Sequence, residues 1–470
     1  MINTLDDDSL LNIFHLYRPF LLGEADRDID IRFKGGVEWV GERWWYRLAH
    51  VCQRWRNLIL GSASYLDLCL VCTSGTPVAD MLARSPPLPL VIDCQYHGIT
   101  AEDQEEIILA LKQRDRVRRI RFGLPVLKLQ KFIMAINGEY PILEYLILMD
   151  PPRDKHTLLI LPKTLRTPHL RHLLIDGSIL TRYPLVGTAA GLVNLYLNLY
   201  HRSIYFQPAD LIRSLSLLPQ LELLLIYFFF DVSNSDVERQ LMHKPVMSNV
   251  ALPNLRFFAL QAVSTYSEAV LSRITSPRLE NFQICYPTRR TLSVTELVQF
   301  MQRTENIRFD RANFNFENER VYVKVNPPEH NMRVDVFSII VHCSSLHRQV
   351  SSVAQIFNAL SQILSVVEQL SLMHQVRHWA SEEHNEVERT EWRKLLRSFT
   401  NVKTLRVYHG LVKELSRCLR LDDGEHPLEL LPKLQSLAYS GSDNANLNDA
   451  FTSFIDARKN AGLPVTLIKW

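Results

Sequence analysis

The chain has 470 residues, 47% of them hydrophobic and 22% charged, enough to bury one large core or several. Its 53 basic and 50 acidic side chains leave a net charge of +3, which argues against nucleic acid or an anionic membrane surface as partner. Glycine is scarcer than proline, 16 against 23, so a glycine-rich phosphate loop is not expected and many elements should stop at prolines.

The chain opens with "TLDDDSLLNIFHLY", an amphipathic helix whose apolar stripe is Leu10, Ile13, Phe14 and Tyr17. Asp6, Asp7 and Asp8 suit its start, by capping and by the macrodipole. A polar segment, Gly23–Glu42, separates it from "RLAHVCQRWRNLIL", Arg47 to Leu60. There Leu48, Val51, Cys52, Trp55 and Ile59 fall at spacings of three and four, and predict one further helix with Arg54 and Arg56 flanking the indole. Residues 1–62 therefore read as a small helical module with an insertion at 23–42, and a module with so little core gains by docking on something else.

Next comes "LDLCLVC", read as a strand that sends Cys69 and Cys72 to opposite faces, so this CxxC reads as structural. Seven scattered cysteines and the acidic first ten residues fit a reducing compartment, cytoplasmic or nuclear. The longest apolar run, "LELLLIYFFF", is about half of what a bilayer span needs.

From Asp115 onward a phrase recurs with apolar residues at offsets 0, +3 and +5. Its copies are Val117/Ile120/Phe122, Leu143/Leu146/Leu148, Leu170/Leu173/Ile175, Leu192/Leu195/Leu197, Leu221/Leu224/Ile226, Leu255/Phe258/Leu260 and Leu279/Phe282/Ile284. Three more follow, at Val367/Leu370/Leu372, Val402/Leu405/Val407 and Leu434/Leu437/Tyr439. The first seven start 26, 27, 22, 29, 34 and 24 residues apart, periods that belong to a repeat array. Helical patterns fill the gaps. "PADLIRSLSLL" starts at Pro208, "SVTELVQFMQRT" offers a capping box between Ser293 and Glu296, and "NDAFTSFIDARKNAG" ends on Gly462 as a C-cap.

Offsets +3 and +5 share one strand face, and the first residue turns inward at the bend before it. One strand–helix unit cannot bury all three. Stacked neighbours can, which predicts an α/β fold over residues 63–470: a leucine-rich-repeat-like solenoid with parallel strands inside and helices outside. The rhythm breaks after Ile284, where two strands near Val321–Val325 and Val334–Val341 are expected around Pro327 and Pro328.

Offsets +2 and +4 point away from that core. They give Arg119 and Arg121, then Tyr145, His172, Tyr196, Leu223 and Phe257, a set suited to holding a protein target. Arg119 and Arg121 belong to "RDRVRRIRF", ordinarily a solvated edge, and in the sharper reading a bidentate clamp for an acidic or phosphorylated peptide. His374 and His378, four apart with His384 following, are spaced for zinc on a helix but lack a convergent ligand set. No metal site, cofactor or nucleophile–base pair is expected, and no enzymatic activity.

"LDDDSLLNIF" followed by "LAHVCQRWRNLIL" resembles the F-box motif, and the continuation is similar to the large fungal family of F-box proteins with irregular leucine-rich repeats. The match rests on Leu5, Leu10, Ile13 and Phe14 and on Leu48, Val51, Cys52 and Trp55; Asp6 stands where that family has Pro and Ser9 where it has an aliphatic. The resemblance implies a substrate receptor of an SCF-type ubiquitin ligase. Leu5, Leu10, Ile13, Phe14, Leu48, Val51, Trp55 and Arg56 would meet a Skp1-like adaptor of a cullin-based ligase, and the repeats would hold a protein target. The alternative is a leucine-rich scaffold whose first helices only cap the array.

Overall fold

The computed structural model describes residues 5–18, 43–95, 99–150, 158–180, 189–202, 205–229, 232–243, 248–287, 292–304, 307, 309–327, 336–374, 389–420, 429–440 and 451–469. The insertion at 23–42, His378 and His384 lie outside them.

Helix α1 (Asp7–Tyr17) starts where the acidic run places it: Ser9 N donates to Asp6 Oδ1 at 2.7 Å. The single helix expected over Arg47–Leu60 is instead two, α2 (Trp44–Ala49) and α3 (Gln53–Gly61). The N–H groups of His50 and Val51 reach back three residues, to Arg47 and Leu48, which tightens and ends α2. Cys52 is extended (φ −159°, ψ 169°) and accepts from Arg56 N, which starts α3. Spacings of three and four cannot register so short a break, and Leu48 and Val51 consequently share no helix face with Trp55.

The chain forms two compact units. The first comprises Met1–Phe206 with Ser214–Leu224 and Phe228–Phe230, so residue 62 falls inside it. Its strands are β1 (Leu70–Cys72), β2 (Leu90–Gln95), β3 (Val117–Gly123), β4 (Tyr145–Met149), β5 (Leu159–Ile160), β6 (His172–Gly177), β7 (Ile179–Leu180) and β8 (Asn194–Leu199). All pair in parallel, in the order β1-β2-β3-β4-β6-β8, with β5 and β7 a separate pair. β9 (Leu223–Phe228) follows: Leu223 N donates to Val193 O and Phe229 N to Leu199 O. Helices α4 (Val78–Arg84), α5 (Ala101–Lys112) and α6 (Val126–Ala135) connect the early strands.

The remaining helices are α7 (Pro208–Leu215), α8 (Asn234–His243), α9 (Ser264–Leu271), α10 (Thr295–Arg303), α11 (Leu346–Ala359), α12 (Ser361–Leu364), α13 (Arg389–Arg397), α14 (Val412–Leu419) and α15 (Thr452–Asn460). Strands β10 (Val250–Ala251) and β12 (Ile274–Thr275) pair with each other. The second unit's main strands are β11 (Phe257–Gln261), β13 (Asn281–Tyr286), β14 (Arg311–Phe316), β15 (Arg320–Asn326), β16 (Phe337–His342), β17 (Gln369–His374), β18 (Thr404–Val407), β19 (Ser436–Tyr439) and β20 (Thr466–Lys469). They run β11-β13-β16-β15-β14-β17-β18-β19-β20, parallel except where β15 lies antiparallel between β16 and β14. The expected hairpin is β15 with β16; β14 was not foreseen and adds a third strand.

All ten copies of the three-residue phrase are buried, none of their side chains more than 3% exposed. The register explains why: Ile120, Leu146, Leu173 and Leu195 are successive partners. Helices close over this face, with Phe122 stacked on Phe132 at 4.8 Å, Phe282 against Phe300 at 5.0 Å and Phe316 against Trp392 at 5.5 Å. Each buried ring contributes roughly 1.5–3 kcal/mol by area.

Some helix starts are held by carboxylates from a neighbouring helix. Glu268 of α9 accepts from Glu296 N at 2.9 Å and Leu297 N at 3.3 Å. The capping box expected from Ser293 and Glu296 does not form, because the N-cap is Val294 and the Ser293 hydroxyl itself donates to Glu268. Likewise Ala79 N, in α4, donates to Glu106 of α5 at 2.9 Å. The capping box that does form pairs Thr100 with Asp103. Pro208 and Gly462 take their expected places, the latter at φ +80°.

Candidate protein-docking surfaces

The first surface is on α1 and α3. Leu10 and Phe14 turn inward and are buried. Trp55 meets Phe14 edge-on, ring centroids 4.8 Å apart, and stays half-buried, as do Leu5 and Leu48. Arg54 fastens α3 to the start of α1 through Asp7 at 2.7 Å and Leu5 O at 2.6 Å. Arg56 is exposed, and its Nε donates to Ala49 O, tying α3 to α2. In the same module Ile13, Leu16, Tyr17 and Val51 are exposed by 47%, 75%, 55% and 59%, an amount of bare apolar side chain that such a small module does not need for folding. Leu16 escaped the sequence reading because it lies off the stripe that pairs with the core.

This module is tied to the first strand. Trp45 Nε1 donates to Cys69 O at 3.1 Å, and Arg43 Nη2 to Val71 O at 3.2 Å and Thr73 Oγ1 at 2.9 Å. Asp67, in the left-handed region at φ +51°, accepts from Arg18 at 2.7 Å and from Arg118, whose Nε also meets Glu144 at 2.9 Å. Burial pushes the Asp67 carboxyl up, but the hydrogen bond and charge of Arg118, with the charge of Arg18, outweigh it and hold the group below the ordinary carboxylate value.

The second surface is the strand face opposite the core in the first unit. Register places Arg119, Tyr145, His172 and Asn194 in one row. The Arg119 guanidinium carbon lies 4.9 Å from the Tyr145 ring, Tyr145 stacks on His172 at 4.1 Å and 9°, and His172 Nδ1 meets Asn194 Nδ2 at 2.9 Å. The four side chains are thus tied to one another. The next row pairs Arg121 with Asp93 through two 2.9 Å contacts, Nε to Oδ1 and Nη2 to Oδ2.

Arg119 and Arg121 are buried, which corrects both the solvated edge and the open clamp. Nothing at Arg121 waits for an incoming phosphate, because Asp93 already fills its fork. Asp93 went unnoticed in the sequence; a lone acid inside the apolar strand "LVIDCQ", one strand from an arginine cluster, was the available signal. Tyr196 and Leu223 are also buried, while Tyr145, His172 and Phe257 are half-buried. Cys69 packs with Val71 and Val91 on this face, whereas Cys72 aligns with core residue Ile92, and burial pushes its thiol up to about 12. His374 closes strand β17 and is not helical; burial lowers its pKa below that of an ordinary imidazole.

A third surface was missed. In the second unit the same face carries amides, hydroxyls and cations. One row runs Asn326, Arg311, Gln369, Thr404, Ser436; the next runs Lys324, Asn313, Ser371, Arg406. All are half-buried except Arg406, which is exposed. Ser338 of β16, beside Lys324, is buried, and the row continues from it to Gln283 of β13. Counting apolar offsets draws no attention to such residues, since their polarity is what a solvated strand face requires.

Among the described residues no helix is long and apolar enough to cross a membrane, and no group of three or more His, Cys, Asp or Glu could hold a metal ion. No protein-family model matches the chain, and none of the characterised proteins compared with it matches in sequence.

Proposed function

We propose that this chain is an F-box-like substrate receptor: its first helices dock a Skp1-like adaptor, and a leucine-rich-repeat-like array presents a protein target to a cullin-based ligase. Catalysis would be by proximity, with the chemistry on other subunits. The observation that supports this most is the set of exposed apolar side chains, Ile13, Leu16, Tyr17 and Val51, in the same small module that carries a half-buried Trp55. Trp55 itself is a poor probe, because its packing on Phe14 means truncation also loosens the module. Val51→Asp and Ile13→Asp change only exposed positions. Capture of a Skp1-type adaptor by the wild type, lost in both variants, is the expected result; equal capture by all three, or none by the wild type, would remove the receptor reading.

The scaffold reading has its own support. Trp45 and Arg43 satisfy backbone carbonyls of Cys69 and Val71 at the outer strand, as a terminal cap would. The same capture experiment separates the two, since a cap has no use for Val51 at the surface.

A further inference from the structure

We propose that the open cleft where the helical module meets the first strand binds a small organic anion, a carboxylate carried on a planar apolar body. The inference is independent of the receptor reading. The cleft has a volume of about 430 Å³ and lies between α2, β1 and α4, within the first unit. That size falls in the range of small-molecule sites. Ala49, Val71, Pro77 and Met81 give it apolar walls, and Tyr46 adds a half-buried ring. Such walls suit a flat hydrocarbon body, and the polar groups beside them decide its sign.

Arg43 lines the cleft and sets that sign. Its Nη2 donates to Val71 O, Thr73 Oγ1 and Thr76 Oγ1, at 3.2, 2.9 and 3.2 Å, all neutral oxygens. Its Nε is buried without an acceptor, and no described aspartate or glutamate pairs with it. Arg54 and Arg121 differ, since each holds a carboxylate, Asp7 and Asp93. A half-buried guanidinium among neutral acceptors lacks a counter-charge, and an anion in the cleft would supply it. No described residue lining the cleft is acidic, and His50, which also lines it, is exposed. Asp103 touches the lining at Gly75 N, 2.5 Å away, but Thr100 N and the Thr100 hydroxyl share that carboxylate.

The test titrates sodium 2-naphthoate into the full chain by isothermal titration calorimetry, with 2-naphthamide as the uncharged match. Saturable binding of the naphthoate is expected, about tenfold tighter than that of the amide. It should weaken about tenfold in Arg43→Gln and several-fold in His50→Glu, and vanish in Met81→Trp, which fills the cleft. His50→Glu and Met81→Trp leave every Arg43 hydrogen bond in place, so they carry the test if Arg43→Gln fails to fold. Equal affinity for naphthoate and naphthamide, no saturable binding by the folded wild type, or unchanged affinity in His50→Glu and Met81→Trp would each overturn the proposal.

Discussion

The strand face of the first unit and that of the second are built on the same backbone logic and filled in opposite ways. In the first, Arg121 and Asp93 lock together, Arg119 covers Tyr145, and Tyr145 stacks on His172. In the second, Lys324, Asn313, Ser371 and Arg406 stand side by side without a carboxylate among them. Strand positions facing away from the core are released from core packing, so such a sheet can use them for its own cohesion in one stretch and leave them only partly covered in another.

The sharpest way to break this contrast is to remove one cation from each face. Arg121→Ala strands a buried Asp93 carboxylate and should cost about 3–5 kcal/mol in urea unfolding. Arg406→Ala, at an exposed position, should change stability by less than about 0.5 kcal/mol. Equal effects would mean the two faces are not energetically distinct. His172→Ala should cost about 1–2 kcal/mol by deleting the ring between Tyr145 and Asn194; Ser371→Ala, its counterpart in the open row, should be close to neutral. Glu268→Ala should cost about 1 kcal/mol by exposing the start of α10, read as faster amide exchange at Glu296 and Leu297.

The smallest effect is acidic. The folded pKa of Asp67 is depressed, so its contribution is complete above the unfolded value near 3.8 and disappears as pH falls through the folded one. Asp67→Asn, which tolerates the positive φ, should flatten the stability–pH slope below about pH 4 and leave it unchanged between about pH 5 and 7. An unaltered acid slope would mean that Arg18 and Arg118 do not hold the helical module through this residue.

The buried framework was legible because Leu146, Leu173 and Leu195 must repeat at a fixed offset to face one core. The helix break at His50–Cys52 was not, since it lies in backbone hydrogen bonding that side-chain periodicity does not encode. The Ser293–Glu296 motif misled for a related reason: a residue remote in sequence, Glu268, reached the N–H groups first. At the docking surfaces, Trp55 and Val51 were readable from their type, whereas Asp93 and Leu16 acquire meaning only from neighbours that folding brings beside them.

The carboxylates that hold helix starts have a consequence for how such a chain can change length. Glu268 belongs to α9 and serves α10, as Glu106 of α5 serves Ala79 of α4 in the opposite direction along the sequence. Cutting out either helix of such a pair would delete a structural group its neighbour relies on. An insertion or deletion boundary that parted α9 from α10 would separate Glu268 from the N–H groups it serves, so length changes are better tolerated at joints where no such carboxylate crosses.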